Sequence, residues 1–363
     1  MREKEETNES MESICIHTVP AYEALIGAGI LGRAGELTAR AVTGRRVMIV
    51  SDERVAPLYL EGVRASYAAA GFDTAAFLLP AGEGGKTLAA LGRLLNAATE
   101  ADMTRGDLFA ALGGGVVGDL TGFAAAVYLR GVDFVQLPTT LLAMVDAAVG
   151  GKTAVNLDGG KNLCGAFHQP RLVLCDPAVL ASLEAPVYAE GMAEVIKNGA
   201  ICDGALLDKV ARGAPAAELI ADCIRIKGDF VSRDERDQGP RRLLNFGHTF
   251  GHALEKLSGY TLYHGEGVAV GMLMAAWAAE NHGLCAPGVY AELRGLIAAQ
   301  GLPVTTPFAS ARIAEQAMRD KKHQGGALTL VLPAERGRCV LHPLPVEELA
   351  GFIACCDGQV SDR

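Results

Sequence analysis

Short apolar runs rich in branched residues alternate with longer amphipathic stretches through the first half of the chain. Arg46–Val50, Ala75–Leu79, Leu108–Leu112, Phe134–Leu137 and Leu172–Leu174 are continuous rather than alternating, the pattern of strands buried on both faces. Between them, Val55–Ala70 and Thr87–Ala101 carry helical periodicity. Strands separated by helices in this way predict a parallel sheet covered on both sides. Beyond Pro177 the strand signal nearly vanishes. Helical patterns run over 189–212, 214–233, 245–258, 265–282, 289–300 and 310–319, with one strand-like run at Leu328–Leu332. The organisation expected is a charged tail over residues 1–13, an α/β domain over 14–178 and an all-α domain over 179–363.

Composition narrows the class. Half of the 363 residues are hydrophobic, ample for a core and incompatible with a disordered chain. The net charge of −9 argues against a generic binder of nucleic acid or anionic membranes, so any anion site must be a local basic pocket. The first fourteen residues contain no apolar stretch, so no secretory signal is expected. The longest apolar run, Val268–Ala279, is interrupted by Gly271 and is too short to span a bilayer. The 9 cysteines are odd in number and include no C-x-x-C pair, which predicts thiols in a reducing cytoplasm rather than a disulfide framework or a thiolate zinc site.

Two groups of residues carry candidate chemistry. Leu108–Leu112 runs into Gly113-Gly114-Gly115-Val116-Val117-Gly118-Asp119, and glycines between a strand and a helix allow backbone N–H groups to approach a pyrophosphate. The spacing is not G-x-G-x-x-G, so a tight strand–helix turn is the competing explanation. Ser51-Asp52 and Gly82-Glu83-Gly84-Gly85-Lys86 follow two other expected strands, where open α/β sheets bind ligands. In the second half, Gly247-His248-Thr249-Phe250-Gly251-His252 places two imidazoles four residues apart on one helical face. His264 follows in Tyr263-His264-Gly265-Glu266, and Glu194 and Lys197 share a face of an earlier helix. A carboxylate with two imidazoles suits a three-ligand zinc site with an open position. Lys152, Lys161-Asn162, Lys227, Arg241, Asn245 and Lys321-Lys322 add groups suited to a carboxylate or phosphate. A helix begun at Arg241 would put Arg241, Asn245 and His248 on one face.

In this order, these residues resemble the 3-dehydroquinate synthases. The most specific segments are Tyr128-Leu-Arg-Gly131, Gln136-Leu-Pro-Thr-Thr-Leu-Leu142, Val149-Gly-Gly-Lys-Thr153, Gly191-Met-Ala-Glu-Val-Ile-Lys197, Leu244-Asn-Phe-Gly-His-Thr-Phe-Gly-His252, His264-Gly-Glu266 and Asp320-Lys-Lys322. The resemblance implies a Rossmann-like α/β domain followed by a helical domain, and a cytoplasmic homodimer acting on a small sugar phosphate. It implies conversion of 3-deoxy-D-arabino-heptulosonate 7-phosphate into 3-dehydroquinate and phosphate, with NAD used catalytically and Zn2+ or Co2+ as the metal. Carried over by position, Glu194, His248 and His264 are the metal ligands. Asp146, Lys197 and Lys227 contact the reacting hydroxyls and ketone, and Arg241 with Lys227 holds the carboxylate. Lys152, Asn162, Asn245, His252 and one of Lys321 and Lys322 hold the phosphate, with Arg130 supplied by a neighbouring subunit. Asp52, Glu83, Lys86, Gly114, Gly115, Asp119, Thr139, Thr140, Lys161 and Asn162 line the NAD site.

The chain departs from the family pattern at Ala147-Ala148, Pro186-Val187, Asn198 and Asp237, none of which is an expected ligand. Other sugar-phosphate cyclases, such as 2-deoxy-scyllo-inosose synthase or an epi-valiolone synthase, are the nearest alternatives. Metal-dependent alcohol or glycerol dehydrogenases are the next. Lys227, Arg241, Asn245 and His252 together favour a substrate bearing both carboxylate and phosphate.

Overall fold

The computed structural model describes residues 11–321 and 327–361, and the chain divides into two compact units, one ending at Leu183 and one beginning at Glu184. The first contains β1 (Glu12–Ile16), β2 (Tyr22–Ile26), α1 (Ala34–Ala41), β3 (Arg46–Asp52), α2 (Ala56–Ala69), β4 (Asp73–Leu79), α3 (Leu88–Glu100), β5 (Leu108–Gly113), α4 (Gly115–Val127), β6 (Asp133–Pro138), β7 (Lys152–Leu157), β8 (Gly160–Phe167) and β9 (Leu172–Cys175). Seven strands form one sheet in the order β1-β2-β9-β6-β5-β3-β4, parallel throughout except where β1 meets β2. β5 is buried at every position, as its unbroken apolar run requires, whereas β4 lies at the sheet edge and leaves Leu78 half exposed. β1 begins inside the stretch expected to be a tail, and β7 and β8 form a separate antiparallel hairpin that the apolar pattern does not announce.

The first unit runs past the expected boundary at residue 178 for a local reason. The turn Pro177–Ser182 is tied to α2, because the Tyr59 hydroxyl bonds the Val179 carbonyl at 3.2 Å and the Ser182 hydroxyl at 2.8 Å. Pro186 then sits in the first turn of the next helix, where a missing N–H costs nothing.

The second unit contains α5 (Ala185–Cys202), α6 (Gly204–Ala211), α7 (Ala216–Arg233), α8 (His248–Leu257), α9 (His264–Asn281), α10 (Val289–Ala299), α11 (Ser310–Lys321), β10 (Ala327–Glu335), β11 (Arg338–Pro345) and α12 (Leu349–Ile353). It is helical but not all-α, because β10 and β11 form an antiparallel hairpin. The pattern at 189–212 is two helices, since Asp203 breaks it and caps α6 by accepting from the Ala205 N–H at 3.0 Å. α9 is the central helix. Val268, Val270, Met272, Leu273 and Met274 are at most 1% exposed, each contributing about 1.5–3 kcal/mol of burial. Among the described residues no helix is long and apolar enough to cross a membrane, and all the cysteines are unbridged.

Candidate metal centre and nucleotide crevice

In the second unit, glycines let three helices approach one another unusually closely. A β-carbon at Gly271 of α9 would lie 2.1 Å from the Gly247 carbonyl oxygen, and one at Gly247 would lie 2.6 Å from the Val268 carbonyl oxygen. Gly247 also takes a left-handed φ of +79°, which turns the chain into α8 just before His248. One turn on, Gly251 and Gly267 face each other in the same manner. A β-carbon at Gly265 would meet the Glu190 backbone at 2.5 Å, so α5 presses on the start of α9. These contacts bring Glu194 of α5, His248 of α8 and His264 of α9 together.

Glu194 Oε1 stands 3.7 Å from His248 Nε2 and 3.6 Å from His264 Nε2, while the other carboxylate oxygen pairs with the buried Lys197 ammonium. The donor atoms of all three residues lie within 4.8 Å of one another. His248 Nδ1 is 3.1 Å from the Phe246 carbonyl, and His264 Nδ1 is 3.4 Å from Glu255 Oε2. Each ring thus directs its second nitrogen toward Glu194, the arrangement by which outer partners orient metal-binding imidazoles. Burial pushes the His248 pKa down to about 3 despite the Glu194 charge, so this ring is neutral and its lone pair available. Burial also opposes charge on His264, but its bonds to the Glu194 and Glu255 carboxylates prevail and raise it to about 10. A proton on His264 thus supplies the positive charge these carboxylates demand, and a divalent cation bound by one carboxylate and two imidazoles supplies the same charge. The donor set fits such an ion.

Among the described residues of this unit three cations are buried: Lys197 and Arg241 at 1% exposed and Lys227 at 6%. Helices α5 and α7 and the turn Pro240–Asn245, which carry them, pack on one another. The expected helical face through Arg241, Asn245 and His248 does not exist. Pro240 starts a 3-10 turn that ends at Asn245, and Gly247 breaks the direction before α8. Arg241 is instead seated by its loop. Its Nη1 donates to the Glu235 carbonyl at 2.6 Å, and Asp234 accepts the backbone N–H groups of Gln238, Gly239 and Arg241 at 3.0, 2.6 and 3.2 Å. Against a burial penalty, those three donors hold the Asp234 carboxyl below its ordinary range. Asn245 and His252 are exposed. Lys322 lies outside the described residues, and Lys321 is the last residue of α11.

In the first unit, strand order reverses between β3 and β5, and ligands of open parallel sheets bind outside the carboxyl ends at such a point. Asp52 ends β3, Gly114 and Gly115 follow β5 at the start of α4, and Thr139 and Thr140 follow β6. One Asp52 oxygen already accepts from the Arg54 and Val55 N–H groups at 2.8 and 2.9 Å, so it also caps the entry to α2. Lys86 is buried and donates to Asp119 Oδ2 at 2.6 Å and Asn162 Oδ1 at 2.5 Å. Asn156 joins the group by donating to Glu83 Oε1 at 2.7 Å and accepting from the Asn162 N–H at 2.8 Å. Four expected residues, Glu83, Lys86, Asp119 and Asn162, therefore form one network, which Asn156 completes. Lys161 and Lys152 lie on β8 and β7. Asp146 sits in a single π-type turn, Ala143–Ala147, a distortion frequent at functional sites. Arg130 is exposed with φ +69°, directly after Leu129 at φ +47°.

Sequence reasoning missed Glu255, Asp234 and Asn156. Glu255 follows His252 by three on the same helical face, the one legible signal among them.

Comparison with known proteins locates relatives. The family description of the N-terminal part of 3-dehydroquinate synthase matches residues 76–190, and that of the C-terminal part matches 191–323. The chain is 44% identical over 330 residues to 3-dehydroquinate synthase of Desulforamulus reducens, covering 88% of this chain and 92% of the relative. Its fold is similar to that of 2-epi-5-epi-valiolone synthase from Streptomyces hygroscopicus, solved with NAD+ and Zn2+ bound (TM-score 0.83, 28% identity, 91% of this chain and 95% of that one). It is also similar to 2-deoxy-scyllo-inosose synthase complexed with carbaglucose-6-phosphate, NAD+ and Co2+ (TM-score 0.82, 25% identity, 95% of this chain and 99% of that one).

Proposed function

The chain belongs to the 3-dehydroquinate synthase family, and we propose that its two candidate centres serve that reaction, forming 3-dehydroquinate and phosphate from 3-deoxy-D-arabino-heptulosonate 7-phosphate. The enzyme is a carbon–oxygen lyase of aromatic biosynthesis. The observation that carries the assignment to residues is the convergence of Glu194, His248 and His264, with Lys197 on the same carboxylate. Bound NAD supplies a hydride acceptor and donor, and a bound Zn2+ or Co2+ supplies charge that polarises hydroxyl oxygens.

The protein's own groups do the rest. Gly114 and Gly115 present the N-terminal dipole of α4 to the pyrophosphate, and Asp52 accepts from a ribose hydroxyl. The network of Glu83, Lys86, Asp119 and Asn162 fixes the loops beside them, with Thr139, Thr140 and Lys161 on the rim. Glu194, His248 and His264 hold the cation. Lys197, Lys227 and Asp146 bond the reacting oxygens, and burial of the two ammonium groups sharpens their field by excluding water. Arg241 takes the carboxylate in a two-pronged bond. Lys152, Asn162, Asn245 and His252 hold the phosphate, together with Lys321 or Lys322. Arg130 of a second copy of the chain completes the phosphate site in a homodimer working in the cytoplasm. Nucleic acid and membrane play no part.

The test uses the substrate with NAD+ at one-hundredth of its concentration and one equivalent of Zn2+. Phosphate and 3-dehydroquinate should form in large excess over NAD+ with no net NADH. Growth of NADH in step with substrate would identify a dehydrogenase, and absence of phosphate would refute the assignment.

A further inference from the structure

His264 has carboxylates at both of its ring nitrogens. Nε2 faces Glu194, 3.6 Å away, and Nδ1 faces Glu255 Oε2, 3.4 Å away. On the Glu255 side a second set of donors converges: His252, Glu255 and His264 offer ligand atoms within 4.8 Å of one another, the same spread as the inner trio. The three ring centroids form a tight triangle, with His252 5.4 Å from His248 and 5.9 Å from His264. His252 and Glu255 lie three apart on α8 and so share a face. Glu255 is buried while His252 is exposed, so the cluster is anchored at its base and open toward solvent. The surroundings favour added positive charge, because Glu194 and Glu255 both act on His264, and Glu190 lies within electrostatic reach of His264, Glu255 and Glu266.

We propose that His252, Glu255 and His264 form a second, weaker divalent-cation site, distinct from the inner centre and sharing only the His264 ring with it. The outer ion takes the Nδ1 position, the Nδ1 proton passes to solvent, and His264 then bridges two ions roughly 6 Å apart, a spacing set by the ring and two metal–nitrogen bonds of about 2.0 Å. Two features make this ion the weaker one. It is repelled by the inner ion, and it draws Glu255 away from orienting His264, a type of loss worth roughly 10- to 100-fold in metal affinity. Because His252 also serves the phosphate in the proposed function, on which the inhibition rests, zinc beyond one equivalent should inhibit turnover.

The test is a titration of the metal-free full-length chain with Co2+, read by bound metal in equilibrium dialysis and by visible absorption. Wild type should bind two ions, the second at least roughly tenfold more weakly. His252→Ala, a change at an exposed side chain, and Glu255→Gln should each bind only the first, and His248→Ala should keep only the weak one. Saturation at one ion, lost in His248→Ala, would overturn the outer site and leave the proposed function standing. A second ion that survives in both His252→Ala and Glu255→Gln would also overturn it, since it would then sit elsewhere. Failure to bind any ion would refute both.

Discussion

Replacing Gly271 by Ala should dismantle the metal centre from a distance, without touching a ligand. The added methyl would stand 2.1 Å from the Gly247 carbonyl oxygen and 2.9 Å from the Gly251 nitrogen, against an ordinary contact of 3.4 Å or more. Both obstacles are backbone, so no side chain can rotate away, and α8 must retreat from α9 by about 1 Å. That carbonyl belongs to the residue directly before His248, so the displacement is delivered to the ligand itself. Overpacking of this kind costs about 1–3 kcal/mol, a fall of roughly 2–12 °C in melting temperature for a unit of this size. Binding geometry tolerates only about 0.5 Å of error, so zinc affinity should fall by at least about tenfold. The assay is competition with a chromophoric chelator, alongside thermal melting of metal-free protein. Gly295→Ala is the control, because Gly295 lies in α10 with nothing within 4 Å of the new methyl. It should gain about 0.5–1 kcal/mol and leave zinc binding unchanged. Wild-type zinc affinity and melting in Gly271→Ala would refute the close-packing argument.

Other expectations follow from the same geometry. Arg241→Lys keeps the charge but loses the planar fork, so kcat/KM should drop by about thirtyfold to several-thousandfold, equivalent to roughly 2–5 kcal/mol. Arg242→Ala, one residue on and only half-buried, should stay near wild type in the same assay. Lys86→Met removes two charge-assisted bonds from the network in the first unit and should weaken NAD+ binding by roughly 10- to 100-fold in calorimetry, with zinc stoichiometry intact. In metal-free protein the His264 pKa is raised from 6.5 to about 10, so the stability it confers is complete below pH 6.5 and is lost as pH climbs through 10. Melting temperature should accordingly decline between pH 7 and 10 in metal-free wild type, and this decline should be smaller in His264→Ala.

Much of the molecule is legible in the chain because burial leaves a periodic trace. The apolar runs at β3, β5, β6 and β9 are strands buried on both faces, and six helical patterns mark the second unit. What escapes is structure held by pairing or turn chemistry. β7 and β8 alternate weakly and carry Lys161 and Asn162, while β11 contains Pro343 and Pro345 at a hairpin edge, where a missing N–H is tolerated. The helix expected through Arg241 fails because Pro240 and the left-handed Gly247 impose a 3-10 turn between them. At the metal centre the histidine spacing was readable, but what brings the helices together was not. Gly247 and Gly251, then Gly267 and Gly271, recur four apart on two successive helices, and only the fold shows them facing each other. Asp234 and Asn156 act by accepting backbone N–H groups four to seven residues further along their own loop or hairpin, a turn geometry that follows no fixed spacing rule.

Anomalous scattering at the zinc edge from crystals grown with one equivalent of Zn2+ tests the central claim most directly. The account predicts a single peak bonded to Glu194, His248 and His264, with metal–nitrogen distances of about 2.0–2.1 Å. A peak held by His252, Glu255 and His264 instead, or none near His248, would contradict it.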